Sequence, residues 1–173
     1  MGMWEYYFHT GDAAFVRSVY PQMLSTMAFV EGRLDEDGLY AKRRGDWVFI
    51  DWSKFDEDSG PMCAEQMLLC RAYDCMAKCA ALVGDADGEK KYASLAAALC
   101  EKINALYWDE EKGGFIDDYK TGNRNVTRHA NIFALLYELT SEERREKIIA
   151  HVIKNGEIRP ITTPYFEFFE LDA

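Results

Sequence analysis

Apolar residues recur at helical spacing over most of this chain, and clusters of glycine, proline and acidic residues separate the runs. Tyr6, Tyr7 and Phe8 read as the end of a helix that begins before the chain does. Gly11-Asp12 breaks it, with Asp12 as the next N-cap. Phe15, Val16 and Val19 open a new apolar face. Pro21 fits poorly in a helix interior and is therefore placed in the first turn of a further segment carrying Leu24, Met27, Ala28 and Val30. Ser59-Gly60-Pro61 starts a long helix, with Ser59 as its cap and Pro61 in an early helical position. Met62, Leu68, Leu69, Ala72, Met76, Cys79, Ala80 and Val83 cover more than one face of that helix, which predicts deep burial, and Gly84 ends it. After the turn Asp85-Ala86-Asp87-Gly88, the stripe Tyr92, Leu95, Ala96, Leu99, Ile103 and Leu106 predicts a second helix. Two long helices joined so tightly form an antiparallel hairpin.

The remaining runs are shorter. Leu34-Asp35-Glu36-Asp37-Gly38-Leu39-Tyr40 is turn chemistry ending in an apolar pair. The segment from Tyr107 to Tyr119 is a long aromatic and acidic loop that echoes the loop after the first helix. Together these suggest a weak repeat of helix, long loop, helix, short turn, which places the long loops on one rim. Val126 to Asn131 opens another helix, and Thr140 with Glu143 fits a capping box for the next, which carries Ile148, Ile149, Val152 and Ile153 and stops at Asn155-Gly156. Thr162-Thr163-Pro164 opens a short aromatic helix that needs a partner to be stable. The pattern is all-α, one domain over residues 1–173, and reads as cut at both ends from a larger helical body. Helix faces left open by such cuts suit self-association.

Composition narrows the partners. A chain of 173 residues with 49% hydrophobic and 14% aromatic content suits one folded domain. The net charge of -10 argues against nucleic acid, since Lys42-Arg43-Arg44 is too short a basic run to track phosphates. No apolar stretch reaches a membrane span, and Met1 to Glu5 has neither the basic region nor the apolar core of a leader. The five cysteines, Cys63, Cys70, Cys75, Cys79 and Cys100, all lie in helical patterns, which argues against a disulfide framework. Cys75 and Cys79 lie one helical turn apart, yet His9, His129 and His151 are all distant in sequence, so no metal site and no cofactor is expected. Asn125-Val126-Thr127 fits a glycosylation acceptor.

The chemistry concentrates in Gly45-Asp46-Trp47-Val48-Phe49-Ile50-Asp51-Trp52. Indole faces beside carboxylates suit a sugar, whose C–H groups lie on the ring while its hydroxyls donate to carboxylate oxygens. Tryptophans that plug a core would produce the same pattern. Trp47 reads more as core, Asp109 as the opening of a turn, and His129, with no carboxylate beside it in sequence, as a helix-start hydrogen bond.

Thr10-Gly11-Asp12, Tyr20-Pro21, Asp37-Gly38-Leu39, Trp47 with Ile50-Asp51-Trp52, Tyr107-Trp108-Asp109, Arg128-His129-Ala130-Asn131 and Thr162-Thr163-Pro164-Tyr165-Phe166 occur in an order that resembles the catalytic domain of bacterial α-L-rhamnosidases, the family 78 glycoside hydrolases. The resemblance implies helical hairpins forming part of an (α/α)6 toroid and a reaction that releases terminal α-L-rhamnose with inversion. It also implies that the general acid lies before Thr10 and the general base beyond Tyr165, so no catalytic residue is expected in this chain. It places Asp51, Trp52 and Trp47 in the sugar pocket, Trp108 and Asp109 on its rim, and His129 and Asn131 at a helix start facing it. The implied partner is a rhamnose-containing glycoside. A non-catalytic helical-hairpin interaction module and a toroid glycosidase for another sugar are the alternatives.

Overall fold

Side-chain caps mark where several of the helices begin. The structure, a computed structural model, describes residues 1–43, 49–52 and 60–173. Its elements are α1 (Gly2–Thr10), α2 (Ala13–Glu31), α3 (Cys63–Val83), α4 (Ala86–Leu106), β1 (Trp108–Asp109), β2 (Gly114–Phe115), α5 (Arg128–Leu136), α6 (Glu142–Ile148), a π-helical turn (Ile149–Ile153) and α7 (Pro164–Asp172). They fall into two units, Met1–Tyr40 with Leu69–Leu99, and Ala41–Leu68 with Cys100–Ala173. Among the described residues, no helix is long and apolar enough to cross a membrane. Among the described residues, none of the five cysteines forms a disulfide.

In the first unit, Asp12 caps α2 by accepting the Phe15 N–H at 2.9 Å, and the Tyr6 hydroxyl donates to its other oxygen at 3.1 Å. Pro21 corrects the expected break, because α2 runs straight through it. A proline in a helix interior costs about 3 kcal/mol. Val16, Tyr20 and Met27 are all buried along α2, and burial of each contributes about 1.5–3 kcal/mol, which outweighs that cost. The Tyr20 hydroxyl also donates to Asp85 at 2.9 Å, and Asp85 in turn caps α4 through the Gly88 N–H at 2.9 Å. Gly84, at φ +86°, takes the left-handed conformation that ends α3. The expected hairpin of α3 and α4 forms here, with Tyr73 stacked on Tyr92 at 6.1 Å. Lys91 ties α4 to Glu31 of α2 at 2.9 Å. Leu34 and Tyr40 pair across a turn in which Asp35 accepts the Leu39 N–H at 2.9 Å.

In the second unit, α3 starts two residues later than its proline suggests. Gly60 sits at φ +125°, outside helical geometry, and Pro61 precedes the helix rather than entering it. Ser59, the expected cap, lies outside the described residues. Glu65 instead reaches back to the Met62 N–H, the carboxylate half of a capping box. The Cys63 N–H donates to Asp117 O at 2.8 Å, and the Tyr107 hydroxyl to Pro61 O at 2.7 Å. The loop after α4 is a small antiparallel pair, Trp108 opposite Phe115 and Asp109 opposite Gly114. The cap of α6 is Ser141, which accepts the Arg144 N–H at 3.4 Å, rather than Thr140. The Thr140 hydroxyl is drawn instead to Asn104 Oδ1 at 3.0 Å. After α6 the chain widens into the π turn, which buries Val152 and leaves Ile149 exposed. Short α7 finds its partner in α5, through Phe166 against His129 and Phe133 at 4.5 and 5.1 Å and the Arg128–Glu170 ion pair at 2.6 Å.

Candidate functional site

Asp51 anchors the segment that carries Trp52. Its side chain is buried, and both oxygens are bonded within the protein. Oδ1 accepts the Trp52 N–H at 2.8 Å and the Thr163 hydroxyl at 2.5 Å, while Oδ2 lies 3.0 Å from His129 Nε2. On the far side of the imidazole, Nδ1 lies 3.3 Å from Thr127 Oγ1, whose proton goes to Asp117 at 2.7 Å. Both ring nitrogens face acceptors; in the neutral ring the proton lies on Nε2 and is donated to the Asp51 carboxylate, the shorter contact, while Thr127, whose proton is given to Asp117, offers Nδ1 no donor. Burial lowers the His129 pKa below the ordinary value of 6.5, although the bond to Asp51 opposes the fall. The neutral ring thus joins α5 to residues 49–52, and Thr163 joins them to α7.

Above this buried polar anchor lies an open aromatic face. Trp52 is 71% exposed although its backbone is fixed from below. Phe49 stands edge-on to it at 4.6 Å and Tyr165 at 5.6 Å. Tyr165 is itself 47% exposed and is braced by Phe169 at 5.6 Å. The indole is not packed as a core plug by the described residues. Trp47 lies outside the described residues.

The other predicted residues gather around the β-hairpin. The Trp108 Nε1–H donates to Glu110 at 2.5 Å, its ring meets Phe115 at 5.1 Å, and the Arg144 guanidinium covers it at 4.5 Å. Asp109 opens the turn, as expected, by accepting the N–H groups of Glu111 and Lys112 at 3.1 and 3.0 Å, and it pairs with Arg124 at 2.8 Å. Burial works to raise its pKa, but Arg124 and the turn N–H groups outweigh it, and the carboxyl stays below its ordinary range. Asn131 is wholly buried; its oxygen accepts the Phe115 N–H at 2.8 Å, and its NH2 donates to Phe115 O at 3.0 Å and Thr127 O at 2.8 Å. The expected single cavity-facing helix start thus divides in two. His129 and Asn131, two positions apart on α5, face different neighbours. His129 joins Asp51 and Trp52, whereas Asn131 clasps β2.

Sequence reasoning did not find Phe49, Asp117, Thr127, Thr163 or Tyr165 as parts of this arrangement. The Asp51–His129 and Asp51–Thr163 bonds close over 78 and 112 residues, and no local spacing announces them. The helix-opening Thr163-Pro164 was visible as a cap, but its second bond was not.

A family model described as the bacterial alpha-L-rhamnosidase 6 hairpin glycosidase domain matches residues 1–160. An uncharacterised protein of Borreliella burgdorferi is 26% identical over 148 residues, which are 84% of this chain and 31% of that relative. The crystal structure of a GH78 family rhamnosidase of Bacillus sp. GL1 superposes with a TM-score of 0.85 at 26% identity, covering 98% of this chain and 18% of that one. A rhamnosidase from Klebsiella oxytoca with rhamnose bound superposes with a TM-score of 0.78 at 20% identity, covering 98% of this chain and 32% of that one, and this likeness bears on fold alone. The chain therefore spans less than a third of each relative's length. The helical hairpins are those of the rhamnosidase toroid.

Proposed function

The chain belongs to the bacterial α-L-rhamnosidase six-hairpin glycosidase domain family, and from that premise we propose that it supplies the sugar-binding rim of a glycoside hydrolase acting on terminal α-L-rhamnose. The exposed Trp52 indole, 71% open above a buried Asp51, carries the reading. Rhamnose is a 6-deoxy sugar, and its methyl and C–H face suit an indole surface. Phe49 and Tyr165 border the ring, and Asp51 acts by holding it. Trp108 and Asp109 brace the neighbouring hairpin.

Hydrolysis with inversion needs a general acid and a general base about 6.5–9.5 Å apart, with one carboxyl able to hold a proton. Asp51 and Asp109 are bonded inside the protein, as is Asp118, which accepts the Lys120 N–H at 2.8 Å. None is placed to take on either role without breaking its own loop. We place both catalytic carboxyls outside residues 1–173, so the chain alone binds but does not turn over.

Titration with L-rhamnose, followed by tryptophan fluorescence, tests the reading. The response of the wild-type chain is expected to disappear in Trp52→Ala, and neither protein is expected to release p-nitrophenol from an aryl α-L-rhamnoside. An equal response in Trp52→Ala would remove the platform, and robust turnover would relocate the catalytic carboxyls. A second reading, a helical interaction module, draws on the exposed Phe168 and Leu171 of α7. It predicts a sugar-silent chain that self-associates, measured by light scattering on a sizing column.

A further inference from the structure

Asn155-Gly156 opens the turn that follows the π turn in the second unit. The Asn155 carbonyl accepts the Ile158 N–H at 3.3 Å, and its side-chain oxygen accepts the Glu157 N–H at 2.9 Å. The second bond folds the side chain along the backbone that follows it and brings its amide carbon round toward the Gly156 nitrogen. A donor on the amide oxygen also draws electrons from that carbon and makes it a better electrophile. Among the described residues, the Gly156 N–H and the Asn155 NH2 have no acceptor. A Cβ at Gly156 would meet nothing within 4 Å, so the approach is open.

No other asparagine combines these features. The remaining four, Asn104, Asn123, Asn125 and Asn131, each precede a residue with a side chain: Ala105, Arg124, Val126 and Ile132. Asn104 and Asn131 are also held by their NH2 groups, which donate to Leu139 O at 2.7 Å and Thr127 O at 2.8 Å. The two glycines that follow an aspartate have engaged nitrogens. The Gly38 N–H donates to Asp35 O at 2.9 Å, and the Gly88 N–H to the Asp85 carboxylate at 2.9 Å.

We propose that Asn155-Gly156 is a site of spontaneous modification, at which the folded chain converts asparagine to aspartate and isoaspartate. The Gly156 nitrogen gives up its proton and attacks Asn155 Cγ. The new N–C bond closes a cyclic succinimide as the C–NH2 bond breaks, and the amide nitrogen takes up a proton and leaves as ammonia. Water then adds to one ring carbonyl or the other and opens the ring, giving aspartate or isoaspartate; nothing is oxidised or reduced. Asn155 shares a cavity wall with Glu111, Lys112 and His151, so the product changes more than its own turn. Aspartate keeps the oxygen that accepts the Glu157 N–H but replaces a donor on that wall with negative charge. Isoaspartate routes the main chain through the former side chain, lengthens it by a methylene and undoes both turn bonds.

The test incubates the 173-residue chain at mildly alkaline pH and follows it by peptide mapping with mass spectrometry, with isoaspartate marked by an isoaspartyl methyltransferase. A short peptide of residues 152–159 is the unfolded reference. Asn155 is expected to convert first, about tenfold faster than any other asparagine, and as fast in the folded chain as in the peptide. Gly156→Ala, whose methyl meets no neighbour, is expected to slow conversion about tenfold in chain and peptide alike, with the chain's far-UV circular dichroism unchanged. Earlier conversion at another asparagine would overturn the proposal. So would conversion at Asn155 about tenfold slower in the folded chain than in the peptide, because the turn would then protect the amide instead of presenting it. An alanine variant that reacts as fast as the wild type would overturn attack by the Gly156 nitrogen.

Discussion

Replacing Glu65 by glutamine should make the protein more stable above neutral pH and leave it unchanged near pH 4.5. Glu65 lies in the first turn of α3, with its Oε2 sealed and without a hydrogen-bond partner among the described residues. Burial is the largest influence on its carboxyl and pushes it up to about 7; the Met62 N–H and Lys42 act in the opposite direction. The ordinary value is 4.5. Between those two values the folded protein keeps a proton that the unfolded chain has released. Stability therefore falls as pH rises through this window and levels off above it. The gap from 4.5 to about 7, at ~1.4 kcal/mol per pH unit, corresponds to about 3 kcal/mol. The residue as a whole is only partly covered, and solvent screening trims the effect to about 2–3 kcal/mol. Glutamine keeps an acceptor for the Met62 N–H and cannot ionise. Urea unfolding of both proteins from pH 4 to 8.5 measures the difference. A difference that does not change with pH, or a glutamine variant less stable at pH 8, would show that Glu65 is held as an ion and would refute the burial argument.

Three further outcomes follow from the site. Trp52→Ala should change stability by less than ~1 kcal/mol because the ring is exposed, whereas Asp51→Ala should cost about 2–4 kcal/mol by leaving the partners His129 and Thr163 unsatisfied; thermal unfolding compares them. His129, whose pKa burial holds below 6.5, should cost the protein stability as pH falls below about 6.5, where the unfolded chain takes up a proton first; His129→Gln should flatten that part of the wild-type stability profile. Gly113→Ala should destabilise by about 1–3 kcal/mol, because φ is +62° and the His151 ring stands 2.8 Å from the new methyl; the His151 ring protons should shift in the variant's NMR spectrum.

Helix ends written in local chemistry were readable in advance. Asp12, Gly84 and Thr163-Pro164 each act through residues within a turn, and each marks the boundary expected. Elements decided by distant packing were not. Pro21 lies mid-helix because buried neighbours outweigh its cost. Thr140 loses its cap role to Ser141 because Asn104, 36 residues earlier, attracts its hydroxyl. The site divides the same way. Asp51-Trp52 stood out as an aromatic beside an acid, but the imidazole and hydroxyl that fix Asp51 come from elements far along the chain. The residues quoted for the rhamnosidase resemblance pointed to the family before any of these contacts could be seen.

One hydroxyl has a consequence for how the chain comes into being. Thr163 receives the Phe166 N–H at 3.3 Å and gives its own proton to Asp51 at 2.5 Å, so the start of the last helix and the seating of the indole are one event. Closing a loop of 112 residues is entropically late in folding, and during synthesis residue 163 leaves the ribosome long after residue 51. A nascent or truncated chain therefore lacks the latch that turns Trp52 into a fixed surface. The adhesive aromatic patch is put on display only once the chain as far as residue 163 has been made.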